Sequence, residues 1–296
     1  MRIKQRDFLF QFINSGILIV FAFSCIYPFY YLIINSLSNP ADAANGIYLF
    51  PKNITLVSYE HLAQIPSIYQ SVFISLSRTV VGTVLTVFSC AFVGFLVSKK
   101  TMPGRKWIYR SIIFTMFFNS GLIPWYMLMK ELHLKNSFLL YVLPSMISAF
   151  YIILVKTYIE SLPAALEESA EMDGAGLTTV FFKIIMPLSM PIIACVAVFS
   201  AVNQWNSWAD NYYLVSDSNL NTLQYLLYTN LQTNMANMMN ATSGGSSVTS
   251  MASSVQVTAA SIKQSMTVVT VLPILLVYPL MQRYFVRGLM LGAIKG

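Results

Sequence analysis

Glu167, Glu168, Glu171 and Asp173 crowd four carboxylates into seven positions of a chain with only 11 acidic residues in 296. Paired carboxylates are tools of general acid–base hydrolysis, so this is the first place to look for chemistry. The spacing argues against it. The surrounding "SLPAALEESAEM" is rich in strong helix formers, with Pro163 suited to a first turn. Adjacent helical residues diverge by about 100°, so Glu167 and Glu168 do not face one substrate. His61 and His133 lie in or near loops, and no Ser/His/Asp set assembles around either. No G-x-x-x-x-G-K-[ST] phosphate loop occurs, so no nucleotide-cradling loop is expected in this chain. Cys25, Cys90 and Cys195 are odd in number and irregularly spaced inside apolar runs. They read as small buried hydrophobes rather than a disulfide framework or a zinc site. The expectation is a chain with no catalytic residue, no metal site and no cofactor of its own.

The elements that position these residues are membrane spans. The chain is 56% hydrophobic and 10% charged, with a mean hydropathy of +0.63, whereas soluble domains carry about 25% charged residues. A net charge of +7 could suggest nucleic acid, but the cations flank apolar runs and form no basic, aromatic-interleaved face. Spans need about 20 apolar residues, and six stretches qualify. They are Phe12–Leu37, Ile68–Val97, Ile108–Met129 (interrupted by "NSGLIP"), Phe138–Ile159 (with Pro144 inside), Leu188 to about Val215, and Met266–Phe285. The basic "MRIKQRDF" precedes a first run too long for a signal peptide, with no cleavage site after it, so it reads as a retained helix. Of the 18 Lys and Arg, 13 fall in one set of alternate loops and four in the other, with Arg78 inside the second span. The positive-inside rule therefore predicts a multi-pass protein of the cytoplasmic membrane with both termini cytoplasmic.

This topology places the acidic stretch, within a loop over 161–187, on the cytoplasmic side. Acids near a helix N-terminus are stabilised by its dipole, and anionic lipid repels them into the cytosol. Gly174 and Gly176 are predicted to adopt positive φ and turn the chain. "LTTVFFKIIM" is a second short helix, expected to stop at Pro187. The result is a helical hairpin presented to the cytosol, either a solvated surface or a docking element. On the other side, the 216–265 loop is rich in Asn, Ser, Thr and Met. Its "NTLQYLLYTNLQ" has helical spacing, and the whole is either a connector or a surface for an external partner.

"ESAEMDGAGLTTVFFKIIMP" resembles the EAA motif of ABC-importer permeases: E-A-A, three residues, G, nine residues, I, one residue, L-P. Here the positions are Glu168, Ser169, Ala170, Gly174, Ile184 and Met186-Pro187, with Ser169 and Met186 departing from the pattern. "DGA" at Asp173–Ala175 resembles the carbohydrate-uptake branch. "FFNSGLIPWYMLMKELHLKNSFLLYVLP" and "QRYFVRGLMLGAIKG" look like the LplC-type permeases, related to the maltose permease MalG. The resemblance implies an all-α polytopic membrane protein of the type I importer permease fold, a single permease domain over 1–296 with six transmembrane helices and a coupling-helix hairpin. Glu167, Glu168, Ser169, Ala170, Met172, Asp173, Gly174, Ala175, Ile184 and Pro187 would then meet the ATP-binding subunit, which holds ATP and Mg. The other implied partners are a second permease chain, an extracytoplasmic solute-binding protein, an oligosaccharide and the bilayer, with no nucleic acid.

Polar residues inside spans tend to face a bundle interior. "NQWNSWADNYY" places Asn203, Asn206 and Asp210 at helical spacing, with Trp205 and Trp208 as aromatic surface for sugar rings or as an interfacial belt. The break in "FFNSGLIPWY", which brings in Asn119 and Tyr126, is a hinge, a cavity wall or simple packing. Arg78 either snorkels outward, the favoured reading, or faces the interior. The alternative function is an ion-coupled secondary transporter, for which Asp210 would be the coupling acid; a scaffold in a membrane complex is the third.

Overall fold

The computed structural model describes residues 5–44, 46, 49–118, 120–232 and 259–293, and its regular elements among them are helices. The chain divides into two compact units.

The first unit comprises Met1–Pro66 and Thr229–Leu272. Its first helix, α1 (Gln5–Ser36), passes through Pro28, and its side chains from Phe10 to Tyr30 are all exposed. An apolar helix exposed on every side is at ease only in hydrocarbon. Cys25 sits on this surface, not in a core as the sequence led one to expect. Two short helices follow, α2 (Pro40–Ala44) and α3 (Val57–Ala63). The segment between them folds back: the Thr55 amide donates to the Leu37 carbonyl (2.9 Å), and the Asn39 amide to that of Lys52 (3.2 Å). The Ser36 and Tyr59 hydroxyls meet at 2.7 Å.

The second unit comprises Ser67–Tyr228 and Pro273–Gly296. Its spine is α4 (Pro66–Ser98), 33 residues without an internal proline. The third predicted span is two helices, α5 (Arg105–Met116) and α6 (Leu122–Glu131). The fourth is likewise two, α7 (Leu139–Val142) and α8 (Ala149–Ile159), because residues 143–148 around Pro144 leave the helix. The exposed carbonyls there are met from α4: Thr86 Oγ1 donates to Ser145 O (3.1 Å), and the Cys90 thiol lies 3.8 Å from the Met146 and Ser148 carbonyls. Cys90 is fully buried and serves this break as a polar partner as well as a hydrophobe.

The acidic helix is α9 (Ala165–Met172), followed by α10 (Leu177–Val180), a π-helical turn over Phe181–Ile185 and α11 (Met186–Leu188). The chain then bends by 80° into α12 (Met190–Asn206). Pro187 was expected to stop the second limb, but it lies inside α11. The stop comes at Ser189, and Pro191 explains it: its ring would clash with the carbonyl four residues earlier, that of Pro187, and it offers no N–H. The fifth span breaks again at Ser207 before α13 (Ala209–Leu214). A predicted helix within "NTLQYLLYTNLQ" is present as α14, residues 223–232; 233–258, including most of the Asn/Met-rich stretch, lies outside the described residues. The last helix, α15 (Ala259–Ala293), contains Pro273 and Pro279.

Among the described residues, Phe10–Ser36, Pro66–Ser98 and Ala260–Pro279 are long and apolar enough to cross a membrane as single helices, and the bent pair Leu177–Leu188 with Met190–Asn206 makes a fourth candidate. The core of the second unit joins Phe95 of α4, Ile152, Val155 and Ile159 of α8, and Val180, Phe181 and Ile185 of the second hairpin limb.

Candidate functional site: an acidic hairpin and a polar cavity

The hairpin is anchored from inside and open outside. Ala170 is buried, while Ala175 and Ile184 pack half-buried against the same core as Val180 and Phe181. Glu168, Ser169, Met172, Asp173, Gly174 and Pro187 are exposed, and Met172 keeps 88% of its surface. Exposed methionines are over-represented at protein-contact surfaces. Gly174 has φ +76°, a conformation that L side chains rarely adopt. Gly176 does not share it: with φ −71° it is extended and precedes α10. Glu167 is half-buried and paired with Lys99 at 2.5 Å, with Glu171 3.8 Å from the same Nζ. Arg105 pairs with Glu160, which also takes Lys156 at 2.8 Å. These cations were not among the residues singled out from the sequence. The available signal was the basic run from Lys99 to Arg110 on the same side as the acids.

The cavity lies in the second unit and has a volume of about 790 Å³. Each of the three interrupted spans contributes its interruption to the wall: Ser120 and Gly121 from the third, Pro144, Ser145 and Ser148 from the fourth, Asn206 and Ser207 from the fifth. Backbone groups freed where a helix breaks can be satisfied by neighbours or by cavity water, so the breaks and the cavity go together. Asn203, Asn206 and Asp210 all line it, but the helix carrying the first two ends before the third, so helical spacing is not what brings Asp210 to the wall. Asn203 donates to the Tyr151 hydroxyl at 2.9 Å.

Four predicted pathway residues are placed otherwise or not at all. Trp205 is 93% buried and borders a separate apolar cleft with Pro273 and Val277; one helical step turns it about 100° away from Asn206. Trp208 stacks flat on Tyr228, ring centroids 3.8 Å apart, so that face is covered by a tyrosine. Tyr126 packs into the core around Met129 and Leu134, while its neighbour Trp125 reaches the cavity. Asn119 lies outside the described residues. Sequence reasoning passed over Gln204 and Tyr213, which line the wall, although both stand within the quoted "NQWNSWADNYY".

Arg78 does not snorkel. It is 3% exposed and turned inward. Its Nε donates to Gln204 Oε1 (2.9 Å), and Nη1 to the Ser207 carbonyl (3.2 Å) and Asp210 Oδ1 (3.1 Å). Nη2 pairs with Asp210 Oδ2, and the guanidinium lies 4.6 Å over the Tyr141 ring. The bidentate fork suits a carboxylate and leaves little of the charge unsatisfied. One residue of α4 thus satisfies the carbonyl released where the fifth span breaks. Gln204 carries the network on, donating to Ser145 Oγ at 2.6 Å.

Gly82 is the room that Gln204 needs: a Cβ there would stand 2.4 Å from Gln204 Nε2. Gln204 is held from two sides and cannot simply swing away. Gly82→Ala is therefore expected to lower stability by about 1–3 kcal/mol, read as a drop in unfolding temperature of the detergent-purified protein. In a Gln204→Ala background the same change should be near neutral; an equal drop in both backgrounds would refute the steric account.

Comparison with known proteins comes to the same place. Residues 77–291 match the family described as "Binding-protein-dependent transport system inner membrane component". The Bacillus subtilis polygalacturonan/rhamnogalacturonan transport system permease protein YtcP is 32% identical over 99% of this chain and 100% of its own. Protein LplC of the same organism is 34% identical over 92% of this chain and 90% of its own. A chain of a bacterial ABC transporter involved in the import of the acidic polysaccharide alginate superposes with a TM-score of 0.84 at 26% identity, over 96% of this chain and 99% of that one. The hairpin, the interrupted spans and the family match agree, and the all-α architecture is that of a type I importer permease. This chain belongs to the inner-membrane permease components of binding-protein-dependent transport systems.

Proposed function

We propose that this chain is one of two permease subunits, the other a different chain, of an ABC importer that moves an oligosaccharide or polysaccharide fragment across the cytoplasmic membrane. The observation that carries the proposal is the convergence of three broken spans on one cavity walled by amides, hydroxyls and aromatic rings. Such a wall hydrogen-bonds sugar hydroxyls and covers the apolar faces of the rings. Six spans cross the bilayer with both termini in the cytoplasm. The 161–187 hairpin docks on an ATP-binding subunit, where ATP and Mg are held, and the 216–265 segment faces an external solute-binding protein. Sugar crosses by alternating access, as ATP-dependent closure of the motor shifts the population between inward- and outward-open states.

The ion-coupled alternative is not favoured. It needs an acid that gains and loses a proton, and the Asp210 carboxylate is already engaged by Arg78, Ser207 and the Asn211 amide. Galacturonan oligomers are the first substrate to try, because YtcP carries polygalacturonan in its name. In cells bearing the complete transporter, Asn206→Ala and Tyr213→Ala are expected to raise the half-saturating concentration for uptake about three- to tenfold, the loss of roughly one hydrogen bond or ring contact each. Tyr126→Phe should leave it unchanged. Uptake that persists without ATP but collapses with the proton gradient would refute the proposal.

A further inference from the structure

The two functional regions share one helix. Lys99 follows the last residue of α4, is 9% exposed, and places its Nζ 2.5 Å from Glu167 and 3.8 Å from Glu171 on the first hairpin limb. The same ammonium lies 4.9 Å over the Phe95 ring. Phe95 is fully buried and packs on Phe181 of the second limb, centroids 5.2 Å apart. The end of α4 therefore grips both limbs, one by charge and one by an aromatic contact. Twenty-one residues earlier, about 31 Å along the same helix, Arg78 holds Gln204, Ser207 and Asp210 in the cavity wall. No proline interrupts the helix between the two grips.

We propose that α4 is the rod through which the hairpin and the cavity wall move together, and that Lys99 is the positioning residue that clamps the hairpin to it. The inference rests on the coupling role proposed above for the hairpin. It assigns a role to a residue outside the EAA-like stretch. A surface pair would be worth little, but the Lys99 side chain is only 10% exposed and that of Glu167 24%. Glu167 and Glu171 stand one helical turn apart, so a single ammonium fixes both the position and the rotation of α9.

The test uses the assembled transporter in lipid vesicles, with its ATPase subunits, second permease and binding protein, and galacturonan oligomers as the probe. Sugar moved per ATP hydrolysed is the readout, since a merely structural role would change both rates together. Lys99→Gln is expected to lower this ratio about fivefold or more, within the usual range of coupling energies. Lys99→Arg should keep it. Lys99→Glu should lose it, and adding Glu167→Lys should restore at least part. Should Lys99→Gln fail to assemble, the charge-swapped pair decides: recovery over Lys99→Glu alone supports the clamp, and no recovery overturns it. A wild-type ratio in Lys99→Gln, with uptake lost in Gly174→Val, overturns the clamp and leaves the coupling role standing. Wild-type uptake in Gly174→Val would overturn the coupling role itself.

Discussion

Gly174→Val is expected to abolish ATP-dependent uptake while leaving the protein folded and inserted. At φ +76° an L residue meets a penalty of about 1–2 kcal/mol, larger when it is β-branched. Since 1.4 kcal/mol is tenfold in an equilibrium, the correctly turned hairpin falls by about an order of magnitude or more. The strain stays local, because a Cβ at this position would touch nothing within 4 Å. Uptake should therefore drop at least about tenfold, with a change in unfolding temperature of only a few degrees. Gly176→Ala is the matched control. Its φ of −71° suits any residue, and it too has open space around it, so uptake should stay near wild type. Equal losses in the two variants would show that the motif's glycines serve contact rather than backbone geometry.

Arg78→Leu carries the larger stability effect. Removing one member of a buried ion pair leaves the other charged and unpaired, at about 3–5 kcal/mol. Arg78 is also the donor to the Ser207 carbonyl and to Gln204, so the break in the fifth span loses its support. The variant should accumulate poorly and unfold at markedly lower temperature. Replacing both partners, Arg78→Leu with Asp210→Leu, removes the orphaned charge and should be more stable than Arg78→Leu alone, while failing to transport. Thermal unfolding of the purified variants in detergent decides the matter. An unchanged unfolding temperature for Arg78→Leu would mean that the pair contributes nothing to the fold.

The hairpin was legible in the sequence because its determinants are local. Helix-forming residues, a glycine needing positive φ and an apolar inner face all lie within 25 residues of one another. Asn203 and Asn206 share a face for the same reason, whereas Asp210 reaches the wall across the break at Ser207. Arg78 was misread because the partner that turns it inward is 132 positions away, a distance at which no local rule operates. The orientations of Trp205, Trp208 and Tyr126 were not legible, because aromatic composition says nothing about rotation. Of the two neighbours of Asn206 in the chain, Ser207 lines the cavity and Trp205 does not, and Tyr228, which covers Trp208, belongs to a different helix. The end of the second limb was assigned to Pro187 when Pro191 causes it, since a proline breaks the ladder behind itself and not at its own position. The family resemblance identified the architecture but carried no information about which side chains meet across it.

The 80° bend at Ser189 makes the two helices it joins a bell crank. One arm is the short second limb of the hairpin and the other is α12, whose 17 residues reach about 25 Å. A tilt of about 5° in the short arm, carried rigidly through the corner, displaces the far end of the long arm by about 2 Å. Asn206 sits at that end, on the cavity wall. A small rotation of the short limb thus becomes, by leverage alone, a displacement of the cavity wall wide enough to break a hydrogen bond.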